Sequence, residues 1–209
     1  ARALVVAIEA GDASRAVYAF AESARQYERA IELWDVVTAD QRPSDRDLAD
    51  LYDAASAAAT VVGDASRALS LAKHQLDIAE ASSGGPAKGD RARRARAHER
   101  YGLAAWLAGD TALSIEQLEA AVAVLEGTGA TADEARVLAG LAANLMLAGR
   151  SSESVPFAER AIESARAIGD TAIESRGLSI LGVDRANLGD VGAGIELLRR
   201  SLALALPTG

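Results

Sequence analysis

"GDASRA" occupies Gly11–Ala16 and returns at Gly63–Ala68. From the second copy onward it opens a periodic series, because a glycine followed by Asp or Arg stands at 63, 109, 149 and 189, at spacings of 46, 40 and 40 residues. Counted from that glycine, the position seven before it holds Ser56, Gly102, Ala142 and Gly182, and the position five after it holds Ala68, Ser114, Ser154 and Gly194. Both columns are small. Six and thirteen after it the columns are large and apolar: Leu69, Ile115, Val155 and Ile195, then Leu76, Val122, Ile162 and Leu202. Twelve after it stand Gln75, Ala121, Ala161 and Ser201, small in three copies of four, and eight before it stand Ala55, Tyr101, Leu141 and Leu181.

These positions fall at helical spacing, so each repeat reads as two amphipathic helices meeting at the glycine. The glycine ends the first helix in a left-handed turn, and Asp64, Asp110 and Asp190 cap the second by accepting from its free first-turn N–H groups. Small columns let the paired helices approach closely, while large ones fill the seam to the next repeat. Thr131 with Glu134, and Thr171 with Glu174, read as T-x-x-E capping boxes. Pro156 reads as lying in the opening turn of a helix capped by Ser152, where its missing N–H costs no bond. Trp34 reads as an anchor of the first helical pair.

The first "GDASRA" also meets the small and apolar columns through Ala16, Val17, Phe20 and Ser23. It predicts a turn at Gly11–Asp12, a short helix to about Tyr18 and a break near Phe20. A competing register takes "AESARQYERAIELW", Ala21–Trp34, as the second helix of the first repeat, through Ser23, Tyr27, Ala30 and Ile31. The chain thus divides, as a single array, into repeats at about 1–40, 44–81, 91–127, 131–168 and 171–206. The stretch "SSGGPAKGD" at 82–90 reads as a loop that accounts for the 46-residue spacing.

Composition narrows the function. The 209 residues are 50% hydrophobic but only 4% aromatic, which favours Ala- and Leu-rich helices over a sandwich or barrel. There is no cysteine, so disulfides, thiolate zinc sites and thiol nucleophiles are excluded. With only two histidines, no nucleophile, base and orienting group converge in the sequence, and an enzyme is not expected. His98 shares a column with Tyr52, Leu138 and Leu178 and reads as packing; His74 reads as a surface residue. No metal or cofactor is expected. The apolar run Ala3–Ile8 is too short to cross a bilayer, so a cytoplasmic chain without membrane contact is expected. A formal charge of −8 disfavours nucleic acid. The basic stretch "KGDRARRARAHER", with Lys88, Arg91, Arg93, Arg94, Arg96 and Arg100, has no interleaved aromatics for base stacking and reads as a solvated helix.

The column pattern resembles the tetratricopeptide repeat over about residues 44–206. It departs from that family in its period of 40 instead of about 34, and in lacking a proline at each repeat's close. "LAGLAANLMLAGR" and "LSILGVDRANLGDVGAGIELLRRSLALA" resemble the tetratricopeptide-like segment of large bacterial LuxR-type regulators, in which an ATPase module precedes the array and a helix-turn-helix domain follows it. The sequence holds neither a G-x-x-x-x-G-K loop nor a helix-turn-helix pattern. The resemblance implies an all-α, right-handed α-solenoid of antiparallel helix pairs. It also implies a concave groove for a protein, peptide or small anionic effector, in the sensor or interaction segment of a transcriptional regulator.

Thirteen residues before each turn glycine stand Asp50, Arg96, Arg136 and Arg176. The resemblance places this column on the groove, together with Asp53, Thr60, Glu99, Trp106, Met146, Ser179 and Asn187. The carboxylate clamp of chaperone-binding members is not reproduced, since its Lys and Asn positions do not match. Arginine offers carboxylate or phosphate a planar fork of donors. The alternative for each arginine is an ion pair with a local acid such as Glu134 or Glu174. A second functional reading is self-assembly as a homo-oligomer through uncovered apolar faces on the terminal helices, around Leu4, Val5 and Ile8 and around Leu202, Leu204 and Leu206, because solenoids need polar caps.

Overall fold

A computed structural model describes residues 1–81 and 88–206. Among these residues the chain is all helical: α1 (Arg2–Ala16), α2 (Phe20–Trp34), α3 (Leu48–Val62), α4 (Ala65–Ala81), α5 (Lys88–Leu107), α6 (Thr111–Leu125), α7 (Ala132–Leu147), α8 (Ser151–Ile168), α9 (Thr171–Asn187) and α10 (Val191–Ala205), with one 3-10 turn at Ala39–Gln41. The helices form two compact units, Ala1–Ser114 and Ile115–Gly209. Within the first, α1 pairs with α2 and α3 with α4, and α5 packs on both α3 and α4. Within the second, α7 pairs with α8 and α9 with α10, and α9 packs on both α7 and α8. Of the loop expected at 82–90, residues 82–87 lie outside the described residues, and 88–90 begin α5.

All four turn glycines adopt the left-handed conformation, with φ of 79° at Gly63, 83° at Gly109, 76° at Gly149 and 97° at Gly189. A side chain there would be strained, which is why the period is legible. Asp64, Asp110 and Asp190 cap as expected, each accepting from the backbone N–H three residues on.

The first repeat follows the competing register. Helix α1 runs unbroken through Gly11 and Asp12, and the turn falls at Tyr18, whose φ is 60°. Counted from Tyr18, Gly11 is the small residue seven before the turn and Ser23 the one five after. Glycine stands at position 11 for closeness, not for turning: a Cβ there would sit 2.7 Å from Cε1 of Tyr27.

The two small columns meet across the pairs α1/α2, α3/α4, α7/α8 and α9/α10. Ser23 Oγ donates to the Gly11 carbonyl at 2.9 Å, Ser56 Oγ to that of Ala68 at 3.0 Å, and Ser154 Oγ to that of Ala142 at 2.9 Å. In the last pair both positions are glycine, and a Cβ on Gly194 would lie 2.7 Å from the Gly182 carbonyl oxygen. Ala121 and Ala161 are fully buried, and Gly102 and Gly182 are buried with them.

Three local expectations are corrected. Thr131 does cap α7 by accepting from the Glu134 N–H, but the Glu134 carboxylate is drawn to Ser164, whose Oγ donates to it at 3.1 Å. Helix α9 is capped by Asp170 instead of Thr171, because Gly169 (φ 74°) ends α8 and leaves Asp170 facing the first-turn donors. Helix α8 begins at Ser151, which places Pro156 sixth, so the helix forgoes one backbone bond there. A reciprocal capping box does occur, unforeseen, at Asp47 and Asp50 of α3.

The apolar core of the first unit gathers Leu4, Ile8, Tyr27, Trp34, Leu51 and Leu71. Leu4 and Ile8 are therefore not part of an open terminal face; pairing with α2 buries them, and Val5 and Val6 remain outside. Trp34 anchors this unit, with Arg42 stacked over its ring at 5.1 Å. In the second unit Ala142, Ala158, Ile162, Leu178 and Leu181 form the corresponding cluster. Leu202 and Leu204 of α10 are exposed, as is Leu206 just past its end.

Candidate functional site

In the first unit, α3, α4 and α5 enclose a cleft of about 290 Å³ lined by Ala49, Asp50, Asp53, Gln75, Ala79, Ala92, Arg93 and Arg96. It thus brings together three residues the sequence singled out, Asp50, Asp53 and Arg96. The acids come from α3 and the arginines from α5, each pair three residues apart and so on one helical face. Asp50 is held on both sides, since its carboxylate accepts from the Asp47 N–H at 2.9 Å and lies 3.4 Å from the Arg93 guanidinium. Arg93 also pairs with Asp47. Burial works against the charge on Arg93, but Asp47 and Asp50 outweigh it and raise its pKa above the ordinary arginine value. Asp53 accepts from Arg100 Nε at 2.7 Å, so much of the basic stretch in α5 is matched by acids of α3.

Sequence reasoning missed two of the residues that shape this cleft. Arg93 belongs to no recurring column. Gln75 did carry a signal, as the one large polar residue in a column otherwise holding Ala121, Ala161 and Ser201.

The other expected groove residues are placed as follows. Glu99 is buried and Trp106 half-buried on α5, and Thr60 Oγ1 donates back to the Ser56 carbonyl at 2.8 Å within α3. In the second unit Arg136 pairs with Asp133 at 2.7 Å. Glu174 is taken by Arg166 at 2.6 Å, which leaves the exposed Arg176 without an ion-pair partner among the described residues. Met146 packs half-buried against the cluster around Ile162, Ser179 is half-buried, and Asn187 donates to Ser151 Oγ at 3.1 Å. His98 is buried, 3.8 Å from Glu80, and His74 is exposed, stacked on Tyr52. Among the described residues no three His, Asp or Glu side chains converge as metal ligands, and no helix is long and apolar enough to cross a membrane.

The sequence matches no protein-family model and no curated protein. Its fold is similar to solved structures at low identity. A Podosopora anserina kinesin light chain protein with nearly identical TPR-like repeats superposes with a TM-score of 0.75 at 16% identity, over 96% of this chain and 93% of that one. Aspartyl phosphate phosphatase F from Bacillus subtilis gives 0.78 at 11%, over 97% of this chain and 50% of that one. YrrB, described as a TPR protein with an unusual peptide-binding site, gives 0.59 at 15%, over 95% and 84%. The chain is thus an all-α helical repeat protein of the tetratricopeptide-like fold.

Proposed function

We propose that the chain is a protein- or peptide-interaction module whose binding surface is built from the first helices of its repeats. The observation that carries this reading is the cleft where Asp50, Asp53, Arg93 and Arg96 gather beside Ala49, Ala79 and Ala92. In the second unit Arg136 and Arg176 hold the same sequence column on α7 and α9, and Arg176 has no ion-pair partner among the described residues. The peptide-binding site named for YrrB supports the class. The finer reading, a sensor segment of a LuxR-type regulator responding to an acidic peptide or small anion, rests on the sequence resemblance.

The test measures binding of an acidic-peptide library to the parent and to Arg96→Ala, Arg136→Ala and Arg176→Ala, alongside each melting temperature. Affinity should fall for each variant, and its deficit relative to the parent should shrink at high salt, since exposed charges are screened there, while melting stays nearly constant. Lost stability with unchanged affinity would assign the arginines to structure instead.

A second reading, self-assembly, is favoured by α10. Nine and thirteen residues after the turn, Ala72, Leu118 and Ala158, and Leu76, Val122 and Ile162, are buried, whereas Leu198 is 38% and Leu202 58% exposed. That face holds the columns that a following repeat covers elsewhere.

A further inference from the structure

The floor of the cleft between α3, α4 and α5 carries an unmet hydrogen-bond acceptor. Gln75 is only 5% exposed, and its Oε1 has no partner. An amide oxygen buried without a donor is costly, so such groups call for a partner. The equivalent residues in the other repeats are Ala30, Ala121 and Ala161, which raise no such demand, and Ser201, whose buried hydroxyl donates to the Ser175 carbonyl at 2.8 Å. Glutamine here is therefore not what helix pairing requires.

The walls narrow the chemistry of the missing partner. Asp50 and Asp53 line the α3 side and Arg93 and Arg96 the α5 side, so carboxylates and guanidinium groups border the same space. The pairs Arg93 with Asp47 and Asp50, and Arg100 with Asp53, hold these walls in place before any ligand arrives. Ala49, Ala79 and Ala92 leave about 290 Å³, at the lower end for small-molecule sites and too small for a folded segment. A ligand of single charge would meet one wall favourably and the other unfavourably. One that carries a cationic donor and an anion side by side satisfies both.

We propose that this cleft binds a free α-amino acid, its ammonium donating to Gln75 Oε1 beside the α3 carboxylates and its carboxylate facing the guanidinium groups of Arg93 and Arg96. This rests on the reading of the first-helix faces as the binding surface and adds a ligand class to it. The experiment titrates the intact chain calorimetrically with each common L-α-amino acid, and with propylamine and propionate as half-ligands. At least one amino acid should bind, with each half-ligand weaker by roughly tenfold or more, the loss of one charged hydrogen bond. Gln75→Ala, which installs the residue of three of the other four repeats, and Gln75→Met, which keeps the length but removes the acceptor, should both fold by circular dichroism and bind about tenfold more weakly. Absence of binding by every amino acid, equal binding of a half-ligand, or unchanged binding by Gln75→Met would overturn the proposal. Acidic-peptide binding measured on the same sample separates the two readings: retained peptide binding without amino-acid binding sinks this site alone, and loss of both sinks the wider function too.

Discussion

Two acids, one half-buried and one fully buried, illustrate opposite uses of a carboxylate. Asp12 accepts from the Tyr27 hydroxyl at 2.6 Å and from Arg46 at 3.0 Å. Burial works to raise its pKa, but those two donors and the Arg46 charge outweigh it and hold the carboxyl below the ordinary 3.8. A depressed folded pKa means stability that is present above the unfolded value and lost as pH falls through the folded one. Asp12→Asn should therefore be less stable than the parent at neutral pH, with the gap closing below pH 3.8; urea midpoints at several pH values check this, and a pH-independent gap would refute it. Asp184, by contrast, is fully buried on α9 with neither oxygen hydrogen-bonded. The same column elsewhere holds Ala58, Ala104 and Asn144. Removing an unpartnered buried polar group relieves about 1–3 kcal/mol, so Asp184→Ala should raise the urea midpoint. A lowered midpoint would mean that the carboxylate has a partner in solution.

At the scale of helices, the small columns set how closely each pair can approach. Ala161 on α8 is fully buried, and Ala161→Leu should cost about 1–3 kcal/mol by overpacking, read as a lower melting temperature. Gly194→Ala is the sharper case, because helix propensity and contact oppose each other. Alanine gains roughly 1 kcal/mol of helix propensity over glycine, yet its Cβ would meet the rigid backbone oxygen of Gly182 at 2.7 Å. A carbonyl within a helix cannot rotate aside as a side chain does. Net destabilisation is expected, and a stabilised Gly194→Ala variant would show that α9 and α10 can separate without penalty.

For the whole molecule the open question is what meets α10. If its exposed face drives association, light scattering should show mass rising with concentration, and Leu202→Lys, which places a charge at a 58% exposed position, should abolish the rise without lowering the melting temperature. A parent that stays monomeric throughout would leave binding as the module's only role. The acidic net charge of −8 opposes close approach of copies, so association should strengthen with added salt.

Much of the fold is local in origin, which is why it is legible in the sequence alone. A left-handed turn favours glycine, the helix that follows favours a capping Asp, and paired small residues twelve positions apart meet whatever lies beyond them. Those rules locate four of the five turns and the small columns. They fail at Gly11, because helix and turn both tolerate glycine there, and the ring of Tyr27 sixteen residues on decides between them. They fail again at Thr171, where the neighbouring Gly169 hands the cap to Asp170. Of the candidate site, the charged columns were visible as residue types. Their partners were not, since Arg93 meets Asp47 and Arg100 meets Asp53 across more than forty residues. An ion pair depends on which side chains the tertiary structure brings within reach, and an unmet acceptor such as Gln75 Oε1 exists only once every neighbour has been placed.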